Sequence, residues 1–407
     1  MGEQYLELEV TPTDTAFSLM AQFEADLHPR KVSLIAGTYR DENGLPWILP
    51  SVKEAKARLR EFESHEYLDI AGAPEFIKLS QSLVFGPELT TTLGDNIASI
   101  QTVSGTGANH MAAVFLAKHL PPRRVFIPSP TWINRKTIWA STDVAIMEYP
   151  YVAPHTGSVD IEGMLSFLEV TSEPNDVVIL QPCAHNPTGV DLSRSQWSQV
   201  ADIVHKNRLF VVFDNAYQGF ASGNVDDDAW AMRYFLKQLM LKDNPQLTGF
   251  CVAQSFSKNF GLYGERVGAL HLVAPPRFST HGARSALINL ARVEYSNPPR
   301  FGAKIVETIL ADERLRIQWQ RDLVTMSSRI KDMRGNLRNQ LSEGDTLGNW
   351  SHISSQIGMF SYTGLDIERV NRLRNEFHIY LLPSGRASIC GLNGNNIEYV
   401  ASAIRQV

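Results

Sequence analysis

Three polar residues stand where predicted strands end, and each carries a side chain that can do chemistry. Asn186 follows the run VVILQPCAH, Asp214 follows LFVVF, and Lys258 follows FCVAQSFS. Taken alone, an aspartate after a strand is usually a turn or cap residue, and a lysine there is usually solvated. In an α/β sheet, however, ligands bind in the crevice beyond the carboxyl ends of the strands. The three residues together therefore predict a binding site at that edge.

A run of small residues, Ser104-Gly105-Thr106-Gly107, opens a predicted helix and offers the groups that bind a phosphate. These are backbone N–H groups, two hydroxyls and the positive end of the helix dipole. A single run of this kind often marks only a turn. Ser255 and Arg266 flank Lys258 and add a hydroxyl and a planar guanidinium that fits phosphate with two N–H groups. Together they predict a phosphate site.

The same region suits a ring that carries an aldehyde. Lys258 has an amine that can form a Schiff base with an aldehyde. Asp214 is an anion that can keep a pyridine nitrogen protonated, which makes the ring an electron sink. Trp132, in the run PTWIN, is available to stack on a ring face. A phosphate, a pyridinium and an aldehyde describe pyridoxal phosphate, which we predict as the cofactor.

Short apolar runs that alternate with helical stretches must position these residues. The runs are rich in β-branched residues and almost continuously apolar, which is typical of a sheet buried on both faces. The predicted strands are 124–127, 177–180, 209–213, 250–254 and 267–272, and the predicted helices between them lie around 107–119, 160–170, 193–207 and 228–241. Nearer the start, amphipathic helices are predicted at 14–27, with Asp14 as N-cap, and at 51–64. The predicted class is α/β with a largely parallel sheet.

The composition argues against several classes of protein. A chain of 407 residues with a net charge of −5 gives no indication of nucleic-acid binding. No run approaches the roughly 18 apolar residues of a membrane span. Cys183, Cys251 and Cys390 are far apart, which argues against a metal site or a disulfide framework. The acidic start resembles neither a secretory nor a mitochondrial signal, so we expect a cytoplasmic location unless a transit peptide has already been removed.

With these residues in place, the chain resembles the aspartate aminotransferase family, which belongs to class I and to fold type I. The resemblance runs from the first predicted helix to the C-terminal segment. It rests on the motifs YRDENGLPWILPSV at 39–52, HEYLDIAG at 65–72, SGTGAN at 104–109, HNPTGV at 185–190, FDNAYQGFASG at 213–223, SFSKNFGLYGERVG at 255–268, YSNPPRFGA at 295–303 and SGRASICGLN at 384–393. It implies a pyridoxal-phosphate enzyme that works as a homodimer.

The resemblance also implies a domain organisation. A large domain would hold a mostly parallel seven-stranded sheet between helices, and a smaller α/β lobe would be built from both chain ends. We place residues 1–45 in an N-terminal arm and part of the small domain, 46–310 in the large cofactor-binding domain, and 311–407 in the small C-terminal domain.

Roles for the ring-binding residues follow from the same resemblance. Lys258 would hold the cofactor and then move the proton between the substrate α-carbon and C4′ of the cofactor. Asp214 would pair with the pyridine nitrogen, while Tyr217 and Asn186 would hydrogen-bond the ring oxygen. Trp132 would stack on the ring and contact the substrate. Lys258, Asp214 and Tyr217 are thus the predicted catalytic residues.

The resemblance places the phosphate and the substrate as well. The phosphate would be bound by Ser104, Gly105, Thr106, Ser255 and Arg266, with Tyr67 reaching it from the other subunit. Arg386, helped by Gly37 and Asn186, would bind the α-carboxylate. Arg292, again from the other subunit, would bind the side-chain carboxylate, although an exposed helix-end cation is the ordinary alternative. Two arginines favour dicarboxylic amino acids and keto acids, because a buried arginine rejects a substrate that leaves it unpaired.

Besides Asp69 in HEYLDI, which we expect to be a surface change, three positions depart from the family pattern. Arg135 stands where the family usually has a histidine after the stacking tryptophan, and Gln181 replaces a second histidine upstream of HNPTG. Arg135 would either face Asp214, keeping it anionic while competing with the pyridinium, or point elsewhere. Ile35 adds bulk where a glycine is usual, and we expect it close to the substrate entrance.

These residues predict transamination, in a ping-pong cycle, between L-aspartate, or a related dicarboxylic amino acid, and 2-oxoglutarate. Two alternatives stay open. The same site could carry out β-decarboxylation, elimination or racemisation on a modified dicarboxylic amino acid. Alternatively, the chain could be a catalytically silent relative that only binds a partner or a small acid. The intact set of Lys258, Asp214, Arg266 and Arg386 argues against the silent relative.

Overall fold

The computed structural model describes residues 13–60, 64–153, 157–241, 249–276, 278–343 and 349–407. The strands are β1 (Val32–Ser33), β2 (Ile97–Val103), β3 (Arg124–Ser129), β4 (Ala145–Pro150), β5 (Val177–Leu180), β6 (Phe210–Asn215), β7 (Phe250–Ser255), β8 (Val267–Val273), β9 (Phe360–Tyr362), β10 (Ile379–Tyr380) and β11 (Arg386–Ser388).

Helices connect and cover these strands. They are α1 (Thr15–Ala25), α2 (Pro50–Leu59), α3 (Pro74–Phe85), α4 (Pro87–Leu93), α5 (Ser104–His119), α6 (Asn134–Ala140), α7 (Ile161–Thr171), α8 (Arg194–Lys206), α9 (Val225–Asp228), α10 (Trp230–Phe235), α11 (His281–Glu294), α12 (Phe301–Ala311), α13 (Glu313–Ser342), α14 (Ser351–Ser355), α15 (Ile367–Phe377) and α16 (Ile397–Gln406). No helix in the described parts of the chain is long and apolar enough to cross a membrane.

Seven strands form the central sheet, in the order β2-β8-β7-β6-β5-β3-β4. The pairs β3–β4, β3–β5, β5–β6 and β6–β7 are parallel, and β8 is antiparallel to both of its neighbours. The predicted α/β class with a mostly parallel seven-stranded sheet is therefore confirmed. Because β8 alone runs in reverse, its first residues lie at the same edge as the carboxyl ends of the other six strands.

Alternate strand residues face two different layers of helices. Val177 and Ile179 of β5 belong to an apolar cluster with α5, α6 and α11. Val178 and Leu180 belong to a cluster with α7, α8 and α10. All four are buried, as the continuous apolar run predicted, because side chains alternate between the two covered faces of the sheet.

The predicted elements agree with the structure except at a few places. All five predicted strands are present, as β3, β5, β6, β7 and β8. Strands β2 and β4 had no counterpart among them, because β2 buries the polar residues Gln101 and Thr102 and β4 is largely half-exposed. Helix α1 begins after Asp14, whose carboxylate accepts from the amides of Ala16 and Phe17, as predicted. Helix α2 ends at Leu59, short of the predicted 64; residues 61–63 lie outside the described residues.

The two ends of the chain meet in space. Strand β1 pairs in parallel with β10, so Val32 lies opposite Ile379, and β9 pairs antiparallel with β11. Segments from both ends also share one apolar core with α13 and α16. This is the arrangement expected of a lobe built from both chain ends. The domain limits at 45 and 310 stay predictions, and residues 1–12 of the predicted N-terminal arm lie outside the described residues.

Candidate active site

The predicted strand-end residues converge on one cavity of about 160 Å³ at the carboxyl edge of the sheet. Helix α5 begins there directly after β2, Asp214 lies near the end of β6, and Lys258 follows β7. Ten predicted site residues line this cavity: Ser104, Gly105, Thr106, Trp132, Asn186, Asp214, Tyr217, Ser255, Lys258 and Arg266. Arg266 reaches it from the opposite direction along the chain, because it immediately precedes the reversed strand β8.

The start of α5 forms a tight cradle against β7 and β8. The amide of Ser104 donates to the carbonyl of Arg266 at 2.9 Å, and both residues adopt left-handed backbone angles, with φ of 68° and 54°. A Cβ on Gly105 would lie 2.7 Å from Cβ of Ser255, so a larger residue does not fit there. Amide groups and hydroxyls at the start of a 16-residue helix thus face the cavity, as a phosphate requires.

The guanidinium of Arg266 completes this cradle. Its Nη1 donates to the Tyr263 carbonyl at 2.8 Å and to Oγ of Ser257 at 3.4 Å, and Oγ of Ser257 lies 3.5 Å from Oγ of Ser104. Within the described segments, no carboxylate forms an ion pair with Arg266. A cation and hydroxyls that converge without an anion among them fit the phosphate of the predicted cofactor.

Lys258 has an amine tuned by its surroundings. Its Nζ lies 5.0 Å from the centre of the Tyr217 ring. Burial lowers the pKa of Lys258 to about 8; Asp214 opposes this change, and the cations Arg266 and Arg386 add to it. A substantial share of the amine is therefore neutral near pH 8, which is the form that attacks an aldehyde or accepts a proton.

Asp214 is buried and bound on both carboxylate oxygens. Asn109 Nδ2 donates to Oδ1 at 3.2 Å, and Arg135 Nη2 donates to Oδ2. Of the two expected orientations of Arg135, the structure has the one that faces Asp214. The hydrogen bond of Gln181 is to a different residue: its Oε1 accepts from the backbone amide of Asn186 at 3.2 Å.

Asn186 and Tyr217 form a pair beside Lys258. Asn186 Nδ2 donates to the Tyr217 hydroxyl at 3.2 Å. Burial raises the pKa of Tyr217 well above its ordinary value, so the phenol remains protonated and can donate. Trp132 is half-buried and lines the same cavity, where its ring is available for stacking.

Arg386 is a buried cation next to this pair. Its Nη1 donates to Oδ1 of Asn186 at 3.2 Å and its Nη2 to the carbonyl of Ile35 at 2.7 Å, while its Nε has no hydrogen-bond partner in the described structure. The guanidinium carbon lies 4.3 Å from the centre of the Phe360 ring. Burial lowers the pKa of Arg386 to about 10, so it is still charged at neutral pH.

Gly37 and Ile35 lie close to this arginine, but with different consequences. A Cβ on Gly37 would lie 2.6 Å from Cζ of Phe360, so the predicted glycine lets the aromatic ring approach. Ile35 is completely buried in a small cluster with Leu19 of α1 and Tyr380. The expected bulk of Ile35 is therefore taken up by packing beneath α1.

Four predicted site residues do not line the cavity: Gly37 and Arg386, described above, and Tyr67 and Arg292. Tyr67 is 86% exposed. Arg292 lies near the end of α11, is exposed and donates to the hydroxyl of Ser296. Their roles in the site of a second subunit stay predictions.

Sequence reasoning missed four residues that line the cavity: Asn109, Ala216, Ser257 and Tyr263. Asn109 lies four residues beyond Gly105 in the same SGTGAN motif, so the helical period places the two residues on the same face of α5. Ser257 directly precedes Lys258. The hydroxyl of Tyr263 accepts from the amide of Tyr39 at 2.9 Å, a contact between segments far apart in the sequence that no local pattern indicates.

Comparison with known proteins decides the family. The model of the family "Aminotransferase class I and II" matches residues 29–404. The chain belongs to this family. It is 45% identical over 403 residues to an L-tyrosine:2-oxoglutarate aminotransferase of Aspergillus ustus, covering 96% of this chain and 76% of the relative. It is 42% identical over 406 residues to the cytoplasmic aspartate aminotransferase of Saccharomyces cerevisiae, covering 98% and 96%.

Solved structures agree with the family. The aspartate aminotransferase from Saccharomyces cerevisiae cytoplasm superposes with a TM-score of 0.96 at 41% identity, covering 100% of this chain and 98% of that one. An aromatic-amino-acid aminotransferase from Burkholderia pseudomallei, covalently bound to pyridoxal phosphate, gives 0.91 at 37%, covering 99% and 98%. This chain is thus an aminotransferase of fold type I that uses pyridoxal phosphate and acts on amino and keto acids. The predictions of enzyme, fold and cofactor are confirmed.

Proposed function

We propose that this aminotransferase exchanges the amino group between L-aspartate, or a related dicarboxylic amino acid, and 2-oxoglutarate in a ping-pong cycle. We further propose that it works as a homodimer with shared active sites and is cytoplasmic. The names of the yeast relative and of the matching yeast structure support the substrate class and the location.

The buried guanidinium of Arg386 is the observation that carries this proposal. Its partners, the side chain of Asn186 and the carbonyl of Ile35, are neutral, and its Nε is without a partner in the described structure. A buried cation is costly unless an anion accompanies it. The α-carboxylate of an amino acid supplies that anion beside Lys258, and a planar carboxylate matches the two N–H groups of an arginine.

A second carboxylate requires a second cation. Arg292 and Tyr67 are far apart in the sequence, and both are exposed on the single chain. Both are therefore accessible to another copy of the chain. We propose that Arg292 of one subunit binds the side-chain carboxylate in the site of the other, and that Tyr67 reaches the phosphate there. A monocarboxylic substrate would leave Arg292 unpaired, which is the basis of the proposed preference.

Bound pyridoxal phosphate supplies an aldehyde that bonds to an amine and a protonated ring that withdraws electrons from the substrate α-carbon. The residues of this chain supply the rest. The cradle of Ser104, Gly105, Thr106, Ser255 and Arg266 holds the phosphate, and Asp214 holds the ring nitrogen. Lys258 would hold the aldehyde through Nζ, and its neutral amine would take the proton from the substrate α-carbon. Tyr217 and Asn186 donate to the ring oxygen.

The test is a steady-state comparison of kcat/KM for L-aspartate, L-tyrosine and L-alanine, each with 2-oxoglutarate, and for L-glutamate with oxaloacetate, with the products identified by mass spectrometry. We expect the two dicarboxylic substrates to exceed alanine by at least 100-fold, because a paired arginine is worth about 3 kcal/mol. A preference for tyrosine, as in the name of the Aspergillus ustus relative, would overturn the substrate class. Formation of alanine from aspartate would instead indicate β-decarboxylation.

The substitution Arg292→Leu separates the two carboxylate sites. It should lower kcat/KM for aspartate about 100-fold or more and leave that for alanine nearly unchanged. Arg321→Leu, at an exposed position on α13, is the matched control and should change neither. Equal losses for both substrates in Arg292→Leu would contradict the proposed role.

A further inference from the structure

A buried ion pair lies beneath the proposed ring site. Nη2 of Arg135 donates to Oδ2 of Asp214, and the two side chains are only 2% and 6% exposed. Nη1 of Arg135 donates to the hydroxyl of Thr131, which lies in the loop before α6, while its Nε has no partner in the described structure. Arg135 lies on α6 and Asp214 on β6, so the pair joins two elements far apart in the sequence.

The carboxylate of Asp214 has capacity for one more donor. An ionised carboxylate offers about four lone-pair sites on its two oxygens. Asn109 occupies one on Oδ1 and Arg135 one on Oδ2. A ring nitrogen that carries a proton can therefore bind Asp214 without displacing Arg135. The arginine and the ring can share one carboxylate.

The other groups around the pair do not replace Arg135 as a counter-ion. Lys258 acts on Asp214 through space, and its own pKa lies at about 8, so its charge varies with pH. Tyr217 is a protonated phenol. His185 is buried, and burial together with the charge of Arg135 holds its pKa well below the ordinary range, so it is neutral. Arg135 is the cation in direct contact with Asp214 within the described residues.

We propose that Arg135 is a positioning residue: it is the resident counter-ion that pairs with Asp214 and aims its carboxylate at the cavity before the cofactor binds, and it shares that carboxylate with the ring nitrogen afterwards. This inference rests on the proposed role of Asp214 toward the ring nitrogen. The site is thereby preformed, because loss of the cofactor does not leave a buried carboxylate without a partner.

Removal of Arg135 has a consequence with a definite sign. In cofactor-free Arg135→Met, the carboxylate of Asp214 is buried without its cation, and such a group takes up a proton more readily than it does in the unfolded chain. The folded variant is then favoured at low pH and loses stability as the pH rises. In the loaded variant the protonated ring becomes the partner of Asp214 and restores much of the loss.

The test measures thermal unfolding of the full-length protein, cofactor-free and loaded, at pH 5.5 and pH 8, at one fixed scan rate. The thermal midpoint of cofactor-free Arg135→Met should lie below that of the wild type by on the order of 5 °C at pH 8 and by clearly less at pH 5.5. Loading with pyridoxal phosphate should reduce this difference in midpoint at pH 8. Lys136→Met, the neighbouring residue on α6 with an exposed ion pair to Glu148, removes the same charge and should show neither effect.

Two further variants keep the inference falsifiable. Arg135→Lys retains the charge and should restore most of the stability at pH 8. In the Asp214→Asn background, the pH-dependent part of the loss caused by Arg135→Met should vanish, because no carboxylate remains to titrate. If Arg135→Met lowers the thermal midpoint by the same amount at both pH values and in both cofactor states, Arg135 contributes only packing, and the proposal is overturned. If Arg135→Met does not fold, the same comparison with Arg135→Lys and Arg135→Gln decides, with the pH-dependent loss expected in Gln alone. None of these measurements uses an amino-acid substrate, so they stay separate from the proposed substrate class.

Discussion

A buried arginine far from the cofactor site should control how tightly the substrate binds. Arg334 lies in α13, is 2% exposed, and donates to the carbonyls of Ile353 at 3.1 Å, Gly358 at 2.8 Å and Phe360. Burial lowers its pKa to about 10, so it remains charged at neutral pH. Phe360, fixed in this way, packs against Arg386 and fills the space above Gly37. Arg334 therefore holds the residue whose ring packs against Arg386, the arginine proposed to bind the α-carboxylate.

The substitution Arg334→Met keeps most of the side-chain length but leaves these carbonyls without their donor. Each buried acceptor that loses its donor costs about 1–3 kcal/mol, and removal of a buried cation offsets part of this, so we expect a net loss of about 2–4 kcal/mol. As Phe360 loosens, Arg386 loses its fixed position. We expect KM for the amino acid to rise about tenfold, equivalent to about 1.4 kcal/mol, with a much smaller change in kcat.

The assay is a steady-state determination of KM and kcat with L-aspartate, together with the thermal midpoint of the loaded protein. Arg338→Met, one turn further along the exposed side of the same helix, is the control and should leave all three quantities unchanged. An unchanged KM in a folded, destabilised Arg334→Met would refute the link from Arg334 through Phe360 to Arg386, and a fall in kcat alone would do the same.

Three further predictions concern the cradle, the catalytic amine and the attachment of α1. Gly105→Ala would place a Cβ 2.7 Å from that of Ser255; it should weaken cofactor affinity about tenfold, measured by dialysis and absorbance, and an unchanged affinity would contradict the tight cradle. The rate at which cofactor-free protein captures pyridoxal phosphate should rise with a midpoint near the Lys258 pKa of about 8, since the neutral amine reacts; a midpoint near 10 would show that the surroundings do not lower it. The amide of His28, followed by the side chain of His378, holds the pKa of Asp26 at about 2. That stability is present above the ordinary aspartate range and lost as the pH falls toward 2, so Asp26→Asn should lower the thermal midpoint at pH 7 and differ less from the wild type near pH 3; a difference constant across this range would argue against the charge.

The strand ends were predictable because parallel strands leave their carboxyl ends at one edge. Asn186, Asp214 and Lys258 follow three separate apolar runs, and the sheet brings them to one cavity. The glycine-containing start of α5 was predictable for a similar reason, since a helix that follows a strand begins at the same edge. These features depend on short-range patterns and on one general rule of sheet topology.

Contacts between distant segments could not be read from local patterns. The hydrogen bond from Arg334 to the carbonyl of Phe360 joins a long charged helix to a short strand. Nothing in the sequence of either segment indicates that the two are in contact. Strand β2 buries polar residues, so its run did not look apolar enough. The sequence left the orientation of the Arg135 side chain open, because that orientation depends on how α6 packs on the sheet. The proposed roles of Tyr67 and Arg292 depend on a second subunit, so a single chain does not test them.

The most direct test of the central claim is a single half-reaction. The purified, cofactor-loaded protein is mixed with L-aspartate alone while the cofactor absorbance is followed and the product is identified by mass spectrometry. Transamination of a dicarboxylic amino acid predicts full conversion of the cofactor to pyridoxamine phosphate and one equivalent of oxaloacetate per site. An absorbance change that stalls without oxaloacetate, or the appearance of alanine, would contradict it.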